Sequence, residues 1–185
     1  MQKSEYDTER AKAFINNAFD QSVLPSLKDY IRIRNQSSAY WAEGKEAEEY
    51  ALLEDACKHI HQWVQGVGIN GLTSEVMYLN GPNGEKLSPI IFTEVAGDVT
   101  DTTIMFYGHY DKQPPLSGWT KMAEGTKPED APYTPYQEGD KLYGRGGADD
   151  GYSTYSSMLA IKAVQEQGLP IPSNFKCEYR DCDDH

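Results

Sequence analysis

The stretch TTIMFYGHYD, residues 102–111, decides the fold. Its core, Ile104-Met105-Phe106-Tyr107, is continuously apolar rather than alternating. That is the pattern of a strand buried on both faces of a sheet. Gly108 ends the run, and His109 and Asp111 follow with one residue between them. Open α/β sheets form their sites just beyond the C-terminal ends of such strands. In extended backbone, residues i and i+2 lie on one side, so the two side chains are expected to meet. A carboxylate there accepts the imidazole N–H that a metal leaves free, and so fixes the tautomer of the ring. A histidine beside a sheet is also commonly a hydrogen-bonded structural residue, and the spacing alone leaves both readings open.

Upstream of this strand, residues 74–80 and 88–95 read as two more, separated by GPNGEK, which has turn chemistry. Residues 45–66 form the clearest helix: Tyr50, Leu53, Cys57, Ile60 and Val64 recur at intervals of three and four. Three glutamates sit in its first turn, where the helix dipole favours them, and Gly66 and Gly68 end it. Residues 7–33 are helical by the same periodicity, with Pro25 beginning a second segment or kinking the first. Residues 34–44 and 115–140 read as loops. Downstream, residues 152–167 form a helix with Tyr155, Met158, Leu159 and Ala163 inward, and 174–182 a last strand. Helices alternating with strands in this order imply an α/β sandwich with a central sheet.

A second motif, LYGRGGADDG (142–151), places two adjacent carboxylates, Asp149 and Asp150, in a glycine-rich turn before a helix. One reading is helix capping by an aspartate. The other is a carboxylate that bridges cations. A phosphate cradle is disfavoured, because the glycines do not fit GxGxxG, no GK[ST] follows, and two carboxylates repel phosphate.

The 185 residues carry a net charge of −12, which argues against nucleic acid or an anionic membrane as partner. The polar N-terminus does not read as a secretory signal, and no apolar run approaches membrane-spanning length. The three cysteines, Cys57, Cys177 and Cys182, lack CxxC spacing, so a reducing, cytoplasmic setting is expected.

Taken together, YGHYDKQP (107–114), the Trp- and Pro-bearing loop after it, and LYGRGGADDG resemble a family of di-zinc amidohydrolases and metallopeptidases. That family includes carboxypeptidase G2, carnosinase and succinyl-diaminopimelate desuccinylase, and the cytosolic nonspecific dipeptidase branch looks nearest. The resemblance runs back through DYIRIRNQS (29–37) and covers nearly the whole chain, but only the first part of a typical member. It implies a three-layer α/β sandwich with a central mixed sheet. Residues 1–185 would be the N-terminal part of its catalytic domain, without the lid domain that carries substrate contacts and the dimer interface.

The resemblance also implies that His109 binds one zinc, that Asp111 positions His109, and that Asp149 bridges two zincs. Manganese or cobalt suits such ligands as well. Thirty-four residues beyond Asp149, RDCDDH stands where the family reads roughly E-x-C-E-E-S. Asp183 would then be the general base and Asp184 a zinc ligand, each one methylene short. The blander reading is an acidic tail. A carboxylate displaced by about 1 Å costs on the order of 100-fold in rate. Arg180 is a cation that must turn away from such a site. Further family ligands, a carboxylate and a histidine, have no counterpart here. The expected activity is hydrolysis of peptide or N-acyl amide bonds in dipeptides or acylated amino acids. The alternative is an inactive relative, a metal-binding remnant or an interaction module. Trp119 and Tyr133 line a pocket mouth or pack their own loop. The last strand is expected to leave a sheet edge uncovered, which favours marginal stability or self-association.

Overall fold

The structure, a computed structural model, describes residues 5–182. Helix α1 (Thr8–Ala18) begins at Asp7, whose carboxylate accepts the N–H groups of Glu9 and Arg10 at 3.0 Å. This satisfies donors that the first turn leaves free. The helical run continues through a π-helical turn, Phe19–Val23, into α2 (Leu24–Arg32), which has Pro25 in its first turn. Proline offers no N–H, and its ring crowds the carbonyl four residues back. A wider turn just ahead of it removes that conflict without ending the helix. Helix α3 (Glu46–Gly66) buries the stripe Leu53, Ala56, Cys57, Ile60 and Val64.

The strands follow: β1 (Leu72–Met77), β2 (Ile90–Val95), β3 (Thr103–His109), then the small pair β4 (Tyr136–Glu138) and β5 (Lys141–Tyr143). Helix α4 (Tyr152–Gln165) and β6 (Asn174–Arg180) close the described chain. The region read as one loop over 115–140 therefore contains β4, paired antiparallel with β5.

The main sheet has the order β1-β2-β6-β3. β6 runs antiparallel to β2 and parallel to β3, so the sheet is mixed. The architecture is the expected α/β fold around a central mixed sheet. Ile91, Val95, Cys177 and Tyr179 share one buried core with Leu53, Ile60, Val64, Met158 and Ile161 of the helices.

Two expectations change. The apolar run of β3 is not buried on both faces: Ile104 is 39%, Met105 51% and Tyr107 54% exposed. The last strand is not at an edge either, because β6 inserts between β2 and β3. Among the described residues that insertion leaves β3 at an edge, paired on one side only, and its side chains meet solvent. Continuous apolarity records what a strand is able to bury, not which neighbours it has.

Candidate metal centre

His109 stands at the C-terminal end of β3, which is where the strand reading places a site. Gly108 before it is required by crowding. A Cβ there would lie 2.2 Å from Ser153 Oγ and 3.1 Å from Asp150 Oδ2. Without that carbon, the first turn of α4 rests against the strand end. His109 N then donates to Asp150 Oδ2 at 3.2 Å.

The imidazole is held on both sides. Its Nδ1 lies 3.0 Å from Asp111 Oδ1, and its Nε2 lies 3.3 Å from Asp149 Oδ1. Asp111 is fully buried and also accepts the Cys182 N–H at 2.9 Å and the Cys182 thiol at 3.2 Å. Burial acts to raise its pKa, but His109 and the two Cys182 donors outweigh burial and hold it below the usual carboxylate range. The same hydrogen bond, partly opposed by burial, raises His109 to about 9, with Asp150 and Asp149 adding to the rise. Asp111 therefore assigns the proton on Nδ1, and Nε2 is the nitrogen available to a cation.

Asp149 and Asp150 lie in the turn Gly147–Gly151, with non-helical backbone (φ −124° and −125°) and a cis peptide between them. Neither caps α4, whose N-cap is Gly151 without a side-chain hydrogen bond. The capping alternative is corrected because this backbone turns Asp150 onto His109 N and leaves Asp149 exposed beside the ring. The turn is seated by its glycines. A Cβ on Gly151 would lie 2.4 Å from the Tyr30 ring, and one on Gly146, at φ +84°, 2.5 Å from Lys112 Cε.

His109, Asp111 and Asp149, three of the five residues singled out in the sequence, are thus brought together. Asp183 and Asp184 lie outside the described residues. The acidic-tail reading does not hold for the residues before them. Asp181 is fully buried and accepts from Ser37 Oγ, Ser38 N and Ser88 Oγ at 3.0, 2.9 and 3.2 Å. Arg180 does turn away: its Nε lies 3.4 Å from Glu178, and its guanidinium 5.9 Å from the centroid of the Tyr107 ring. The loop aromatics pack locally, with Trp119 Nε1 donating to Pro115 O and Tyr133 buried under Arg34. His59 is hydrogen-bonded to Ser26 of α2.

Sequence reasoning missed Cys182 and Lys112. Donor atoms of Cys182, Asp111 and His109 lie within 4.8 Å of one another. Both oxygens of Asp111 are already engaged, so the trio reads as an orienting network. Lys112 is fully buried, and its Nζ donates to the carbonyls of Tyr30, Ile31 and Ile33 at 2.8, 3.3 and 2.5 Å. Burial, with Arg145 as the lesser cause, pushes its pKa down, while the three carbonyls and the face of the Tyr30 ring favour the charged form, so it is read as an ammonium. A lysine inside YGHYDKQP, where its neighbours are buried, was the available signal.

The donor set fits a divalent ion. Two ligands each about 2.0–2.1 Å from a tetrahedral zinc lie about 3.3 Å apart, and His109 Nε2 and Asp149 Oδ1 are 3.3 Å apart. Among the described residues, no helix is long and apolar enough to cross a membrane.

Comparisons with known proteins bear on the family. The model of Peptidase family M20/M25/M40 matches residues 105–177, the segment that contains both motifs. The Beta-Ala-His dipeptidase of Homo sapiens is 34% identical over 101 residues, 52% of this chain and 18% of that protein. Its counterpart in Rattus norvegicus is 32% identical over 163 residues, 84% of this chain and 30% of that protein. The solved structure of the di-peptidase Dug1p of Saccharomyces cerevisiae superposes with a TM-score of 0.73 at 21% identity, over 97% of this chain and 35% of that one. The chain spans a third or less of the length of the curated relatives it matches. Through the segment that carries His109, Asp111 and Asp149, the chain is related to peptidase family M20/M25/M40.

Proposed function

We propose that the chain carries the metal-holding part of a zinc-dependent hydrolase that cleaves the peptide bond of dipeptides or the amide of N-acyl amino acids. One observation carries the reading: His109 Nε2 and Asp149 Oδ1 stand 3.3 Å apart, with the other ring nitrogen tied to the buried Asp111. A bound zinc supplies Lewis acidity to a carbonyl and a water acidic near neutral pH. The protein's part is to hold that ion with His109 and Asp149 while Asp111 keeps the ring from rotating. Asp150 holds the backbone at His109 through its N–H. By the family resemblance, Asp183 takes the proton from the attacking water and Asp184 is a further ligand.

A second reading is that the chain holds an ion without turnover. It is favoured by the two free donors, His109 Nε2 and Asp149, that the described residues offer, where catalytic zinc takes three protein ligands. One experiment separates the two. Metal-free protein is titrated with zinc, then assayed on a dipeptide panel that includes β-Ala-His. Hydrolysis that follows zinc occupancy and disappears in His109→Ala supports the enzyme. Zinc uptake without hydrolysis supports the second reading. Absence of zinc uptake sinks both.

A further inference from the structure

We propose that Lys112 is a positioning residue for the metal centre, locking the His109–Asp111 segment and the Asp149 turn to the end of α2. The inference rests on the proposed metal-holding role of His109 and Asp149.

Three sets of contacts converge on this side chain. Its ammonium donates to the carbonyls of Tyr30, Ile31 and Ile33, the last acceptors of α2. The end of a helix leaves carbonyl acceptors in need of donors, although Tyr30 O also accepts the Ile33 N–H at 3.1 Å, and a cation there meets the negative end of the helix dipole. The Tyr30 ring lies 4.2 Å from Nζ and the Tyr133 ring 5.8 Å, so the charge also faces two aromatic surfaces. Its backbone is fixed as well: Lys112 O accepts Ser37 N at 3.0 Å, beside a parallel bridge to Gln36. The alkyl stem then fills the space that Gly146 leaves, at 2.5–2.9 Å from where a Cβ would stand.

The consequence is geometric. His109 and Asp149 come from segments forty residues apart in sequence and share no backbone hydrogen bond to each other. Lys112 is three residues past His109 on one segment, and its stem is the floor of the turn that carries Asp149 on the other. Moving the stem moves the Gly146 turn against the strand end, and with it the 3.3 Å gap between Nε2 and Oδ1. A lysine with only a capping task could sit at a half-exposed helix end. This one is buried between the two ligand-bearing segments, and Tyr30 of the same helix packs on Gly151 at the far end of the same turn.

The test uses Lys112→Met, which keeps a stem and removes the ammonium, with exposed Lys141→Met as control. Two readouts are taken at one pH and at a temperature where circular dichroism shows each variant folded. The first is the ¹⁵N shift of the His109 ring in the metal-free protein. The second is zinc affinity by competition with a chromophoric chelator. Lys112→Met is expected to move the ring Nε2 resonance and weaken zinc about 10- to 100-fold, as loss of groups that orient ligands does. Lys141→Met is expected to change neither. If Lys112→Met does not fold, Lys112→Arg takes its place, because its longer planar head presses on Gly146. An unchanged ring shift in the folded variant overturns the inference, even with a lowered melting temperature. If the wild-type protein takes up no zinc, the metal reading fails while the ring shift still decides the role of Lys112.

Discussion

In the proposed function the chemistry turns on His109, and its proton belongs to a competition. Asp111 raises its pKa from the ordinary 6.5 to about 9, so in metal-free protein the ring is charged at neutral pH. A base whose folded pKa is raised contributes stability that is fully present below its unfolded pKa and is lost as pH rises through the folded value. In the metal-free protein, the stability difference between wild type and His109→Gln is therefore expected to be largest below pH 6.5 and to shrink toward pH 9 and above. Its size is about 1–2 kcal/mol once partial screening is allowed for. Urea melts across that range check it, and a difference that grows with pH would refute the assignment. The His–x–Asp relation was legible in the sequence because extended backbone puts i and i+2 on one side. The task of Asp150 was not, since its hydrogen bond to His109 N depends on a turn whose dihedral angles no spacing rule encodes. Lys112 escaped for a related reason: burial of a lysine becomes reasonable only when the carbonyls of Tyr30, Ile31 and Ile33 are known to face it at the end of α2.

Among the elements, the glycine turn between β5 and α4 does the most to assemble the site. Gly151 N donates to Gly146 O at 2.8 Å, which closes the turn around Asp149 and Asp150. Gly151→Ala would put a methyl carbon 2.6 Å from that carbonyl oxygen and 2.4 Å from the Tyr30 ring. Backbone yields less readily than a side-chain end, so the substitution is expected to cost about 1–3 kcal/mol and to weaken zinc binding in step. Chemical denaturation and metal titration of the variant measure both. Full stability with unchanged affinity would mean that the turn tolerates a side chain. The α helices and the four strands of the main sheet were readable from the apolar pattern. The π-helical turn at Phe19–Val23 was not, because it changes the hydrogen-bond step without interrupting the apolar pattern.

Over the whole molecule, the edge that β3 forms among the described residues is where self-association is expected to start. An unpaired strand edge with Ile104, Met105 and Tyr107 exposed is a template for another strand. Self-association is expected to rise with concentration in sedimentation experiments, and Met105→Lys, a charge on that edge, is expected to reduce it several-fold. A monomer at all concentrations would count against the edge as a contact surface. The α/β class was legible from the element order, and the mixed character of the sheet came only with the family resemblance. The place of β6 was not, because strand order depends on long-range pairing that local sequence does not specify. That place also governs how the chain folds. The last strand among the described residues lies between two earlier ones, and its partners come long before it: Thr103 waits 71 residues for Asn174, and Ile91 waits 88 for Tyr179. Until then β3 has no neighbour to pair with, and the β1–β2 ladder is a hairpin with one open side. Such distant closures slow folding, so during synthesis β3 and the β1–β2 pair are made long before the strand that joins them into one sheet.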